Sequence, residues 1–532
     1  MTTQTLNIAP VGQVEGDLDI RVEVTDGTVT RAWASGAMFR GFEIILRGKD
    51  PQAGLVVTPR ACGICGASHL TCAAYALDVA WKTEVPPNAT LLRNVGQLCE
   101  TIQSIPRWGY GIYLLHMTNK KYSRSPLYAE AVRRWAPFVG SSYELGVTLS
   151  GKPVEAYAIF GGQWPHSSYM VPGGVMCAPT LSDLTRARAA IDVWLHDWLE
   201  ASWLGCEIGR YLEIKSLADF ETWMDEKESH YNSDLGLFYR MSMEEGAPAH
   251  FGAGLGRFLT YGYIPDAELY GRPTVEKRAA AVHFRSGIYD GSDWRDFDQA
   301  SVAEHVARSW YEGSAALHPW SGETKPVAPA GAGIEHIDVE GKYSFAKAPR
   351  YDGGNYEVGT AARAVIAARP GALAHQDFDP FMFDVFQRFG PSAMWRSWTR
   401  FHEGAKYYNK IVQLLDAVDL NEPFYIKPKE IDGEGWGATE ASRGALAHWI
   451  KVKDGKIENY QIVSPTTWNV SPRDAEGKPG AIEAALEGAP IEDATDPIEV
   501  GQICRSFDSC LVCTVHVHDG KTQQELSRFE LL

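Results

Sequence analysis

Apolar and polar residues alternate over the first fifty positions. Leu18, Ile20, Val22 and Val24 fall on one face, an Asp26-Gly27 pair follows, and alternation resumes from Val29 to Ala34. A period of two marks strands with one buried face, and Asp-Gly is a favoured two-residue turn, so an antiparallel hairpin is predicted, preceded by a strand from Leu6 to Val11. The period then becomes helical. Phe39 to Leu46 reads as a short helix, Ala67 to Trp81 as a longer one rich in Ala and Leu, and Asn88 to about Pro106 as a third, opened by Pro86-Pro87. More helix is predicted toward His116 and from Leu127 to Val139, and the longest run from Leu181 to about Leu212. Helices resume at Val358 to Ala368 and Ser392 to Val418, and a last hairpin turns at Asp454-Gly455 before Tyr460 to Val463.

Long helices flanked by hairpins predict an α+β chain with a large helix-bundle core and peripheral β-hairpins. The stretch from 214 to 343 is less periodic and reads as a peripheral lobe of short strands and loops. Its glycine cluster, Gly252 to Gly256, lacks both the dinucleotide register and a preceding strand, so a nucleotide site is rejected. The 532 residues, 45% hydrophobic and 22% charged, suffice for a large core and by length alone for two or three domains. No repeat or low-complexity segment interrupts them.

The formal net charge of -17 disfavours nucleic acid or an anionic membrane surface as the main partner, since both reward clustered Lys and Arg. The first ten residues lack the basic and apolar segments of a secretory signal, and no apolar run approaches a membrane span. A cytoplasmic location is expected, with any membrane reached only through partners.

Nine cysteines, an odd number, suit metal ligation in a reducing compartment better than a disulfide frame. Cys72, Cys99, Cys177, Cys206 and Cys504 sit in apolar or mixed surroundings and read as small core residues. The other four form two Cys-x-x-Cys pairs near opposite ends, Cys62/Cys65 followed by His69 and Cys510/Cys513 followed by His516. Two pairs supply four soft ligands for zinc, an iron-sulfur unit or nickel. Structural zinc pairs usually lie within one small module, whereas almost the whole chain separates these. Redox dithiols are the third reading.

The flanking residues make the pattern more specific. Arg60-x-Cys62-Gly63-x-Cys65-x-x-x-His69 and Asp508-x-Cys510-x-x-Cys513-x-x-His516 resemble the two signatures of the nickel-iron hydrogenase large subunit, and further blocks agree in order along nearly the full length. These are Val14-Glu15-Gly16, Phe39 to Glu43, Phe160 to Gly174, Pro349 to Asp352, Arg443 to Leu446 and Pro465 to Asn469. The resemblance implies one large-subunit domain over 1–532 that cleaves H2 into protons and electrons. The electrons would pass to an obligate iron-sulfur small subunit, in what is expected to be a higher oligomer of heterodimers.

The resemblance also implies the site. Cys62 and Cys510 would be terminal on nickel, while Cys65 and Cys513 bridge it to an iron carrying carbon monoxide and two cyanides. Cys510 would accept the first proton and hand it to Glu15. Arg443 and Asp508 would complete the surroundings, Thr466 would hydrogen-bond a cyanide, and His69 would stand behind the ligands. Glu43, a carbonyl near Val470 and His516 would hold Mg2+, an ion suited to oxygen ligands. His166 would face the partner's cluster. By spacing alone Glu15, Glu43, His166 and Arg443 would pass as a surface carboxylate, a solvated carboxylate, a loop histidine and a surface arginine.

Three residues depart from the commonest pattern: Ser509 and Ser442 where prolines are usual, and Ser104 where many members carry aspartate. They resemble the second large group of uptake hydrogenases, found in cyanobacteria and some aerobic bacteria, and the related hydrogen sensors. A hydrogen-sensing subunit and a structural four-cysteine zinc protein are the alternatives. A quinone-reductase relative lacks the four cysteines. Residues 517–532 are expected to be removed after His516, although Thr514 to Phe529 also reads as a hairpin.

Overall fold

The structure is a computed structural model that describes residues 3–274, 281–329, 336–370 and 378–511. Cys513, His516, the tail 517–532 and the hairpin predicted from Thr514 lie outside the described residues.

The first strands pair as read from the sequence. β1 (Thr3–Ile8), β2 (Leu18–Thr25) and β3 (Thr28–Gly36) form an antiparallel meander, with Thr25 opposite Thr28 across the Asp26-Gly27 turn. Leu18, Ile20, Val22 and Val24 cover a second core together with Ile482, Ile503 and Phe507. β1 ends at Ile8, so Val11 lies beyond it, buried, its N–H bonded to Leu18 O.

Two helices form the heart of the main core. α1 (Gly66–Ala80) is buried on nearly every face, as its Ala- and Leu-rich composition requires. α2 (Pro87–Trp108) begins with proline at its first position, where the missing N–H costs nothing. A buried pair, Arg93 Nη1 to Asp78 Oδ2 at 2.6 Å, joins them. Asp78 also accepts from Gly173 N, and Arg93 donates to Gly174 O, so the pair anchors the end of the 160–174 loop. A buried pair stabilises only when its remaining hydrogen bonds are made, and here they are.

The run expected from Leu181 to Leu212 is α3 (Leu181–Trp194) continued by a π-helical segment, Leu195–Leu204. Gly205 ends it in a left-handed conformation (φ 70°), where a side chain would also meet Ser229 O. The longest single α-helices are instead α2 and, later, α6. Between 214 and 343 the chain departs from strands and loops as well. Leu217–Glu226 and α4 (Asp234–Ser242) are helices whose Phe220, Trp223, Leu237 and Phe238 enter the main core. Strands begin only at β4 (Phe258–Pro265), buried along its length and paired with β5 (Val282–Tyr289). The Gly252 to Gly256 cluster serves packing: Gly252 O accepts from Arg396, and Gly254 leaves room for the same guanidinium, which is paired with Glu357.

α5 (Thr360–Ala367) and α6 (Ala393–Asp416) follow, the latter capped by Ser392 Oγ on Trp395 N. A second antiparallel sheet closes the fold with β7 (Gly433–Ala441), β8 (Gly444–Lys453) and β9 (Lys456–Val463), then α7 (Pro465–Asn469) and α8 (Ile498–Ser506). The last hairpin is as predicted, but β7 is additional. α1 lies on β7 so closely that a Cβ at Gly435 would sit 1.8 Å from Ala76 O and one at Gly437 2.1 Å from Cys72 O. Glycine is therefore required in this strand. Among the described residues no helix is long and apolar enough to cross a membrane.

Candidate active site

The fold brings the two cysteine segments together. Thr58–Ala61 makes one 3-10 turn, Cys62 is extended (φ −147°, ψ 134°), and Cys65 stands at the N-cap of α1. The macrodipole there favours a thiolate. From the other end, α8 stops at Ser506, and Asp508 takes a left-handed backbone (φ 53°) that Asp tolerates better than most residues. The strand-like bridge that follows couples the termini: Leu511 N–H donates to Glu15 O at 2.5 Å, and Cys510 N–H to Thr466 Oγ1 at 3.0 Å. Cys62 Sγ and Cys510 Sγ are 3.4 Å apart, and with Cys65 all three sulfurs lie within 4.8 Å of one another, buried.

Charged groups surround this cradle. Arg443 Nε donates to Asp508 O at 2.8 Å, and its Nη2 meets Asp508 Oδ1 at 3.2 Å. Burial works against the Arg443 charge, but Asp508 and the thiols of Cys510, Cys62 and Cys65 hold its proton more firmly than usual. Glu15 is half-buried, and its carboxyl is raised above the ordinary value, chiefly by burial and against the pull of Arg443. Arg400 approaches Asp508 Oδ2 at 3.8 Å and lies over the Trp108 ring at 4.3 Å. Glu100, on α2, accepts from Ala67 N, Ser68 N and Ser68 Oγ at 2.7 to 2.9 Å, fastening the first turn of α1 just beyond Cys65. Its carboxyl is pushed up to about 7 by burial, despite those donors.

The remaining predicted residues are spread around this centre. His69 is fully buried behind the cysteines. His166 lies at the edge, half-buried, with Nδ1 3.1 Å from Pro59 O, on the 3-10 turn before Cys62. Glu43 lines a pocket with Glu304, Thr324, Lys347 and Thr467. It accepts from Ile462 N at 2.9 Å, from Thr324 Oγ1, and from Lys347 Nζ at 3.3 Å. Val470 is buried at the C-cap of α7, its side chain in the core beneath β1–β3. Of the cysteines read as core, Cys72, Cys99 and Cys504 are buried, while Cys177 and Cys206 are half-buried against the main core.

Sequence reasoning did not find Arg400, Glu100, His448 or Lys347 among the site residues. Each is a buried polar group on a helix or strand, and its only linear signal is a charge or imidazole within an apolar pattern.

The donor set suits a soft metal. Three thiols converge in a closed interior, and a fourth cysteine, Cys513, follows Cys510 by three residues. Among the described residues, His69 Nε2, Arg443 Nη1, Ser442 Oγ and Ser509 Oγ are buried with no hydrogen-bond partner. Buried polar groups are rarely left so unless a further group belongs beside them. Fold and site thus define a metal-thiolate oxidoreductase whose centre is built from both ends of one chain.

Known proteins make the class specific. The family model described as nickel-dependent hydrogenase matches residues 40–116 and 143–516. The periplasmic [NiFeSe] hydrogenase large subunit of Desulfomicrobium baculatum is 32% identical, over 98% of this chain and 96% of its own length. An uptake hydrogenase large subunit from Rhizobium leguminosarum bv. viciae is 31% identical over 98% and 97%. The solved Ni-Fe-Se hydrogenase of D. vulgaris Hildenborough superposes with a TM-score of 0.78 at 29% identity, covering 97% of this chain and 100% of that one. The chain belongs to the nickel-dependent hydrogenases. It is their catalytic large subunit, which carries the nickel-iron site, acts on H2 and pairs with a small subunit.

Proposed function

We propose that this chain oxidises H2 at a nickel-iron centre held by Cys62, Cys65, Cys510 and Cys513, and that Glu15 carries the proton away. The observation behind this reading is the convergence of three of these sulfurs within 4.8 Å, beside Arg443 and the half-buried Glu15. When bound, the centre supplies the Lewis acid that polarises H2 and the acceptor for its electrons. The Cys510 Sγ is the first base, because its chain is tied directly to Glu15 through the Leu511–Glu15 bond. The Glu15 carboxyl, with a raised proton affinity, is matched to pass that proton outward. Arg443 presents an unpaired Nη1, a fixed donor for H2 or for a cyanide, while Asp508 orients it. Thr466 already accepts from Cys510 N and so keeps its hydroxyl proton for a second cyanide.

The reading extends outward. In it Cys62 and Cys510 are terminal on nickel, Cys65 and Cys513 bridge, and the iron carries carbon monoxide and cyanides. Mg2+ takes Glu43, the Val470 carbonyl and His516. A hard cation is supported by the carboxylate pair in this pocket, where Glu304 Oε1 is buried and unpartnered among the described residues. His166, at the half-buried rim, faces an iron-sulfur small subunit that takes the electrons. Ser104, Ser442 and Ser509, all buried, support a place in the second group of uptake hydrogenases.

The test is Glu15→Gln in the assembled enzyme. The amide keeps the shape and loses the relay, so nickel and iron should stay in place while hydrogen-deuterium exchange from H2 falls steeply. Exchange at the parent rate would place the gate elsewhere, and zinc as the sole metal would end the reading.

A further inference from the structure

Behind the cysteines lies a chain of three buried polar side chains. His69, on α1, is one turn beyond Cys65 and donates its backbone N–H to Cys65 O at 3.2 Å. Its Nδ1 is 3.1 Å from Nε2 of His448 on β8, and Nδ1 of His448 is 2.8 Å from the Tyr460 hydroxyl on β9. All three side chains are excluded from solvent. His69 Nε2 has no hydrogen-bond partner among the described residues, and Cys62 is the thiol that acts on its charge.

Counting protons orders this chain. Burial lowers the His69 imidazole to about 4 and, reinforced by His69, holds His448 well below its ordinary value, so both rings are neutral. Burial likewise keeps the Tyr460 hydroxyl protonated. Two neutral imidazoles and one phenol bring three protons to two hydrogen bonds, and the third proton must sit at one end. In one direction the rings donate toward Tyr460. The phenol proton is then left without an acceptor in the interior, and the bare lone pair of His69 Nε2 is turned on the thiolates. In the other, Tyr460 donates to His448 Nδ1, His448 Nε2–H donates to His69 Nδ1, and His69 Nε2–H is presented to the cradle. Only the second leaves no buried donor wasted and sets a donor against negative sulfur.

We propose that Tyr460 and His448 are positioning residues that fix His69 as the Nε2–H tautomer, a permanent donor toward the thiolate cradle. The donor withdraws charge from the ligand sulfurs and so makes the metals less electron-rich, as outer hydrogen bonds to metal ligands do. A nitrogen that already carries its proton cannot compete with Glu15 as the proton's way out. Both consequences rest on the nickel-iron reading above; the tautomer itself does not.

Neutron diffraction from the deuterated, assembled enzyme reads the tautomer directly, whatever metal is bound. Deuterium is expected on His69 Nε2, His448 Nε2 and Tyr460 Oη, and its presence on Nδ1 of either ring would overturn the proposal. In the metal-loaded enzyme, Tyr460→Phe removes the terminal donor and leaves nothing to hold the order. Nickel and iron content should be unchanged, while infrared bands of diatomic ligands on the metal move to lower wavenumber. Retained metals with unmoved bands would refute the tuning role. If Tyr460→Phe fails to fold, the neutron measurement on the parent still decides.

Discussion

Arg443 grips Asp508 twice, through the backbone carbonyl at 2.8 Å and the carboxylate at 3.2 Å, and so locks the turn that delivers Cys510 into the cradle. Lysine would keep the charge and lose the fork, and a charge-assisted hydrogen bond contributes about 1.5–3 kcal/mol. Arg443→Lys should retain nickel and iron while slowing H2 oxidation by roughly 10- to 100-fold. Metal analysis alongside turnover checks this, and a parent-like rate would contradict it.

Replacing any one of Cys62, Cys65 or Cys510 by Ala should abolish both turnover and stable nickel retention, because a site short of one thiolate is open and misshapen. Cys99→Ala is the control. That thiol is buried in the main core, its proton held tightly by burial, so the variant should lose some stability and keep its metals. Nickel lost equally from the control would show that folding, not ligation, is being measured.

Glu100 predicts a pH dependence of stability. Its folded-state value of about 7 lies above the 4.5 of an exposed glutamate. The folded form therefore binds the proton more tightly, and this stabilisation is complete below about 4.5 and lost as pH rises through 7. The shift corresponds to about 3 kcal/mol. Denaturant unfolding between pH 5 and 8 should give a steeper decline for the parent than for Glu100→Gln, whose amide does not titrate. Parallel slopes would remove Glu100 as the cause.

Gly437→Ala should be severely destabilising although it adds a single methyl group. That carbon would stand 2.1 Å from Cys72 O, a backbone atom of α1, which can yield only by lifting the helix that carries Cys65. A loss above about 3 kcal/mol is expected, with a fall in nickel content, read by thermal unfolding and metal analysis. An unchanged midpoint would mean that α1 and β7 do not pack this closely.

Much of this was written locally in the chain. The period-two runs of β2 and β3, the Asp26-Gly27 and Asp454-Gly455 turns, and the long helices α1, α2, α5 and α6 follow from short-range rules, which act within a few residues. The two cysteine motifs are equally local, and their residues announced a shared metal before any contact was known. What the linear pattern could not carry is what depends on approach between distant segments. β7 reads as a glycine-rich loop until α1 lies against it and makes glycine the only residue that fits. The helices at Leu217–Glu226 and Asp234–Ser242 are too short for periodicity to assert. The partners of the site are of the same kind. That Arg400 reaches Asp508, that Glu100 caps the helix of Cys65, and that His69 leans on His448 and Tyr460 are facts of packing between elements up to several hundred residues apart. A sequence names its chemistry where ligands are spaced by backbone geometry; only the closed fold, in which every buried polar atom must find a partner, decides what stands behind them.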